Sequence, residues 1–175
     1  MKHFKDTRAL TVASLLCAIS VIFGKLPAIN ITEVLRISIE NFPVILAGYA
    51  FGPFAGALVG ASADLLGCVI KGFAINPIIT LGAVCVGLIS GCVRYKIFKR
   101  RHNIASLALS VSLAHIFGNM IIKTVGLYLW YEALRPTLIF RVPTYIITAV
   151  AEFFILFFIL KSKQLKKILL GDDIN

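Results

Sequence analysis

The chain has 175 residues, of which 59% are hydrophobic and only 15% charged, and its mean hydropathy is +0.92. Water-soluble domains carry about 25% charged residues, so this composition excludes an ordinary soluble fold and leaves no room for a soluble domain beside the apolar segments. The net charge of +10, from 18 Lys and Arg against 8 Asp and Glu, would suggest nucleic acid in a soluble protein; here its placement reads as membrane topology.

The N-terminus, Met1 to Arg8, is basic and runs into an apolar stretch from Ala9 to Phe23, which imitates a secretory leader. No small-x-small cleavage site followed by a polar chain is evident, and Leu15-Leu16-Cys17 lacks the small residue a lipobox places before its Cys. The reading is an uncleaved first membrane helix over Thr7 to Leu26, closed by Pro27 and the polar Asn30 to Glu33. A loop from Pro27 to Arg36 leads to a short second helix, Ile37 to Tyr49. The tight turn Phe51-Gly-Pro-Phe54 precedes a third, Phe54 to Ile70. Lys71-Gly72 and Asn76-Pro77 bracket a second loop, and a fourth helix runs from Pro77 to Val93. The basic link Arg94 to Asn103 connects it to a fifth, Ile104 to Leu129. A sixth spans Ile139 to Leu160, and residues 161–175 read as a charged surface tail. Spans of about 17–25 residues match a hydrocarbon core about 30 Å thick. The fold class is therefore all-α, a single six-helix membrane domain over 1–175.

Charge placement supports six crossings. Lys2, Lys5 and Arg8, then Arg94, Lys96, Lys99, Arg100 and Arg101, then Lys161, Lys163, Lys166 and Lys167 all fall on one side of such a bundle. By the positive-inside rule that side, with both termini, is cytoplasmic. Lys25, Arg36, Lys71, Lys123, Arg135 and Arg141, with Glu33, Glu40, Asp64 and Glu132, map to the opposite half. Ionisable groups at membrane depth are costly and default to a site hypothesis.

Gly52, Gly56, Gly60 and Asp64 recur every four residues, one stripe of a helix. The glycines read as a groove for close helix packing. Asp64, a carboxylate at the stripe's outer end, reads either as a ligand contact or as the partner of a buried base. His115, Asn119 and Lys123 share a face at i, i+4 and i+8, as do Arg141 with Tyr145 and Arg36 with Glu40. These residues predict a polar cup under the outer loops, with Phe73 and Trp130 available to stack on a ring. The plainer alternative is internal salt bridging: Arg36–Glu40, Lys123–Asp64, Arg141–Glu132. Glu152, alone in the sixth helix, reads as partnered within the core.

Ala9, Ala13 and Cys17 form a small-residue stripe on the first helix, suited to packing inside the bundle or to docking a partner. Cys17, Cys68, Cys85 and Cys92 lie in apolar runs without a C-x-x-C pair, so neither a disulfide framework nor a metal site is expected. No P-loop, nucleophile elbow or zincin motif is present; the chain is expected not to be an enzyme, and any transport it performs draws its energy from elsewhere.

The A-x-x-x-A of Ala9 and Ala13, Arg36-Ile-Ser, Phe42-Pro-Val-Ile-Leu-Ala-Gly48, Phe51-Gly-Pro-Phe-Ala-Gly-Ala-Leu-Val-Gly60, Ala63-Asp-Leu-Leu-Gly67 and Arg141-Val-Pro together resemble the S components of energy-coupling factor transporters. They are most similar to the folate branch, and the likeness covers nearly the whole chain. Gly72-Phe-Ala-Ile-Asn-Pro77 departs from the loop that branch often carries after the third helix. The resemblance implies a multi-pass protein of the bacterial cell membrane that captures a vitamin outside. It implies docking, with Ala9 and Ala13 at the contact, on a membrane coupling subunit carrying two ATPases, and a toppling motion that delivers the ligand inward. It implies no cofactor and no metal. Arg36, Lys123 and Arg141 would pair with carboxylates, Asp64 would accept from a pterin edge, and Phe73 or Tyr145 would stack, with His115 and Asn119 in the same cup. Rival readings are another vitamin or precursor (queuosine-type, pantothenate, thiamine), or a small membrane enzyme or scaffold.

Overall fold

The structure is a computed structural model, and it describes residues 7–25, 29–30, 36–130 and 141–170. Among the described residues seven helices follow one another: α1 Thr7–Lys25, α2 Asn41–Phe51, α3 Pro53–Lys71, α4 Pro77–Cys92, α5 Ile104–Trp130, α6 Arg141–Lys161 and α7 Lys163–Leu170. Helix α4 continues through a widened turn, Val93–Ile97. Between α1 and α2 lies a two-residue antiparallel ladder, β1 Ile29–Asn30 on β2 Arg36–Ile37, with Asn30 opposite Arg36. Glu33, Glu132 and Arg135 lie outside the described residues, and with them the expected Arg141–Glu132 pair.

Local chemistry sets the boundaries. Gly52 takes φ +102° between α2 and α3, and Pro53 opens α3 at its first position, where proline's missing N–H costs nothing. Gly72 ends α3 in the left-handed conformation. Asn76 caps α4 by accepting from the amides of Ile78 and Ile79, and Asn103 caps α5 by accepting from Ser106.

Among the described residues five helices are long and apolar enough to cross a membrane; α2, with 11 residues, is shorter. Large apolar side chains face outward, among them Val69 at 71%, Phe54 at 65% and Phe158 at 63% exposed. Water does not tolerate such a surface at this density, whereas a bilayer requires it; this is a membrane protein. The inside is built on α2, whose residues from Asn41 to Ala50 are all buried.

The glycine stripe packs as its spacing predicts. Gly56 of α3 meets the backbone of Gly87 on α4 and of Gly48 on α2, and Gly60 meets Ala83. Gly82 and Gly118 bring α4 and α5 together in the same way.

Two expectations need correction. The second helix begins at Asn41 rather than Ile37, because the main chain at Arg36–Ile37 is spent on the ladder with β1. The segment after α6 is more than a surface tail: Lys163–Leu170 forms a helix whose Leu169 enters the same apolar core as Tyr49. In α7 Leu165, Ile168 and Leu169 recur at helical spacing among lysines.

The α2–α3 turn, the α4–α5 link and α7 meet at one end of the bundle, called here the basic end. Arg94 donates to the carbonyl of Tyr49 at 2.6 Å and Tyr95 to that of Ala50 at 2.8 Å, satisfying the open C-terminus of α2. The Tyr49 hydroxyl lies 2.9 Å from His102 Nδ1. Burial, and then the nearby charges of Lys166 and Arg94, lower the His102 pKa to about 4. The unfolded chain, titrating near about 6.5, therefore binds more protons between those values. The stability His102 contributes is complete above pH about 6.5 and is lost as pH falls toward about 4. Thermal midpoints measured across that window should fall less steeply for His102→Gln than for the native protein.

Candidate functional site

The end opposite the basic one carries a connected polar network inside an apolar bundle. It begins on α5, which is α-helical over Ile104–Leu113 and Thr124–Trp130 but π-helical over Ala114–Lys123. Extended π-helix is rare and concentrates at functional sites. His115, Asn119 and Lys123 all lie in this stretch, and all three face inward as their spacing predicts. The Thr124 hydroxyl donates to the carbonyl of Asn119, five residues back.

His115 is 2% exposed and its Nε2 lies 2.8 Å from Oε2 of Glu152, which is fully buried on α6. The other oxygen of Glu152 accepts the backbone N–H of Asn41 at 3.0 Å. One carboxylate thus ties α5 and α6 to the first turn of α2. Asn119 Nδ2 lies 3.2 Å from His115 Nδ1, and its buried Oδ1 accepts no hydrogen bond among the described residues. Lys123 Nζ stands 3.5 Å from Oδ1 of Asn41 and 3.9 Å from Glu40. Glu40 in turn accepts from Ser20 of α1 through its main-chain carbonyl at 2.6 Å. On α6, Arg141 donates to the Tyr145 hydroxyl and its guanidinium lies over that ring, 4.9 Å from the centre. The Tyr145 ring is 6.4 Å from that of His115, which joins the start of α6 to the network.

The structure brings together five of the residues singled out in the sequence: His115, Asn119, Lys123, Arg141 and Tyr145. The main chain of Arg36 lies in β2, and its side chain is outside the described residues, so the Arg36–Glu40 pair is too. Asp64 is not part of the network. Its Oδ2 accepts from Thr80 of α4 at 2.7 Å, and the Lys123–Asp64 pair does not form. Thr80 and Gly82 are two residues apart and so face different sides of α4: one meets Asp64 of α3, the other the stem of Lys123. Helix α4 stands between the two charges. Phe73 is exposed beyond α3, with the Lys71 ammonium 5.8 Å from its ring centre, and Trp130 is exposed at the end of α5.

Sequence reasoning kept Glu152 out of the site and overlooked Asn41 and Thr80. A single acid inside the 21 residues of α6 was the available signal for Glu152. Ala13 of α1 is buried in the core cluster and Ala9 is half-buried, so the small size of Ala13 serves contact within the bundle. Among the described residues no His, Cys, Asp or Glu group has the arrangement to hold a metal ion.

The family model described as "ECF transporter, substrate-specific component" matches residues 8–170. The chain belongs to that family of transporter subunits. Among curated proteins, the S component is 27% identical over 125 residues to the "Folate transporter FolT" of Clostridium novyi, covering 70% of each chain. Among solved structures it is similar to FolT bound with folic acid, with 28% identity, a TM-score of 0.67 and coverage of 86% of this chain and 93% of that one. It also superposes on the S component for biotin from an ECF-type ABC transporter at TM-score 0.70, over 97% and 99% of the two chains, with 18% identity. That last likeness is one of fold. These relatives are substrate-specific subunits of transporters, not enzymes.

Proposed function

We propose that this S component captures folate at the network end of its bundle and passes it inward through an energy-coupling factor module. The observation that carries the reading is the folate-bound relative, alike at 28% identity and TM-score 0.67 over most of both chains. The chemistry of the network supports it. Folate offers carboxylates at one end and an aromatic, hydrogen-bonding pterin at the other. Lys123, Arg141 and Arg36 supply cations for the first, Arg with a fork that matches a carboxylate. The rings of Tyr145 and His115 and the free acceptor of Asn119 suit the second. Asp64 and Phe73 act, in this reading, from the α3–α4 rim rather than within the network.

The proposal includes six crossings of a bacterial plasma membrane, with the basic end and both termini cytoplasmic, in accord with the positive-inside rule. It also includes a coupling subunit and two ATPases as partners, met at the small stripe of α1. In that stripe Ala9 is half-buried and Ala13 lies against the bundle.

The test is ligand carry-over. Protein purified from its membranes should release folate on denaturation, identified by mass spectrometry. Arg36→Ala should weaken folate binding by roughly 10- to 100-fold, the worth of a charge-assisted hydrogen bond. Recovery of a different vitamin would replace the folate assignment while keeping the family; the departure at Gly72-Phe-Ala-Ile-Asn-Pro77 favours that as the second reading.

A further inference from the structure

The basic end carries a group of cations that lies apart from the polar network of the candidate site. The guanidinium groups of Arg94 and Arg100 share one aromatic ring, lying 5.6 and 4.9 Å from the centre of Tyr95. Arg94 also lies 4.9 Å from the centre of Tyr49. Lys166 of α7 approaches the same place: with Arg94 it depresses the pKa of His102 to about 4, after burial itself. Like charges at such separations repel, and a protein normally interleaves acids among them.

None is present among the described residues. Glu40 and Glu152 belong to the network at the other end, and Asp64 is bonded to Thr80. Arg94 is 4% exposed; its terminal nitrogens donate to the carbonyls of Tyr49 and Arg100, while its Nε meets no acceptor among the described residues. A buried guanidinium with an unfilled donor and no carboxylate partner among the described residues is a costly arrangement.

The backbone also gives up free energy to hold the group. Lys99 and Arg100 both take positive φ, +46° and +68°, a region that non-glycine residues seldom adopt and that clusters where strain serves function. The turn is fixed by the Arg100 N–H donating to the Arg94 carbonyl at 2.8 Å and by the Arg101 N–H donating to that of Phe98 at 2.8 Å. Beside the cations stand exposed apolar side chains, Ile97 at 59% and Leu165 and Ile168 at 43% each. An apolar and cationic border of this kind belongs at the headgroup level of a bilayer.

We infer that the basic end holds the phosphate headgroup of an anionic phospholipid, with buried Arg94 as the floor of the site, Arg100 and Lys166 as its walls, and Ile97, Leu165 and Ile168 against the acyl chains. The phosphate supplies the missing counter-charge, and the acyl chains distinguish a lipid from a free anion. The headgroup bridges the α4–α5 link and α7, two segments that otherwise repel.

Native mass spectrometry of the whole protein, released from bilayers of mixed phosphatidylglycerol and phosphatidylcholine, tests this. The expected result is a retained phosphatidylglycerol molecule in preference to phosphatidylcholine, unaffected by excess inorganic phosphate. In Arg100→Gln/Lys166→Gln that preference should drop by roughly 25-fold, with two bases removed, while the thermal midpoint in detergent stays near that of the native protein. Equal retention of both lipids by the native protein overturns the inference. So does displacement by inorganic phosphate, which would make the site one for a free anion. A double variant that keeps its lipid preference but no longer co-purifies with a coupling subunit would assign these bases to a protein partner, and equally overturns it.

Discussion

Gly87→Leu should leave no folded protein in the membrane fraction. Gly87 of α4 lies where α2, α3 and α4 converge, and a Cβ built there meets the carbonyl of Gly56, with the Gly56 Cα at 2.8 Å. The obstacle is backbone, which cannot rotate aside as a side chain does. Gly48 and Gly56 have the same problem against Gly87 from the other two helices, so no single shift relieves all three contacts. Helices in lipid associate through such close backbone approach rather than through a hydrophobic drive, so separating them removes the main source of cohesion. Overpacking an ordinary core costs about 1–3 kcal/mol, and Leu at this point adds the loss of two helix interfaces. Gly87→Ala should already lower the thermal midpoint markedly. Leu88→Phe, one residue on and 40% exposed, should change little. Monodisperse Gly87→Leu protein with a native melting temperature would rule out this account of the helix crossing.

The second large effect is expected at Glu152. Glu152→Ala strips the partner from His115 Nε2 and from the Asn41 N–H at once. Removing one member of a buried hydrogen-bonded pair leaves the other unsatisfied, at about 1–3 kcal/mol. A cycle of His115→Ala, Glu152→Ala and the double variant measures the link. The double variant should be less destabilised than the two single effects together, because the polar group left without its partner by either single change is gone. Additive effects in thermal melts would mean that the pair is not a unit. Ligand binding should fall with Glu152→Ala although its carboxylate is directed into the protein, since the same carboxylate sets the start of α2 and thereby Glu40 and Asn41 against Lys123.

Much of this was legible in the residues. Apolar length gave the long helices, because a bilayer imposes both length and polarity. Asn76-Pro77 and Gly72 marked helix ends by capping chemistry that is local to the sequence. The four-residue period of Gly56 and Gly60 gave the packing face, and that of His115, Asn119 and Lys123 gave the inward one. The misses share a different cause. Ile37-Ser-Ile-Glu40 is apolar enough to read as helix, yet a pairing with Ile29 and Asn30 decides it; Pro43, which belongs in a first turn, was the local sign of the true start. Spacing says which residues of a helix share a face, but not which neighbour that face meets. Lys123 therefore has Asn41 and Glu40 beside it rather than Asp64, because α4 intervenes. No sequence period announces the π-helical stretch Ala114–Lys123, since it depends on how α5 seats against Gly82 and Val86 of α4.

The shortness of α2 has a consequence for distance travelled. Eleven residues at about 1.5 Å each make a rod of roughly 16 Å, against a hydrocarbon slab of about 30 Å. The rod starts at the polar network and ends at the latch of Arg94 and Tyr95. With the basic end cytoplasmic, as proposed above, a solute resting against Asn41 would sit near the bilayer midplane, with about half of the low-dielectric barrier already behind it. Whatever motion completes delivery has only the remaining half to cover, and a charged solute crosses only the matching fraction of the membrane voltage during that motion.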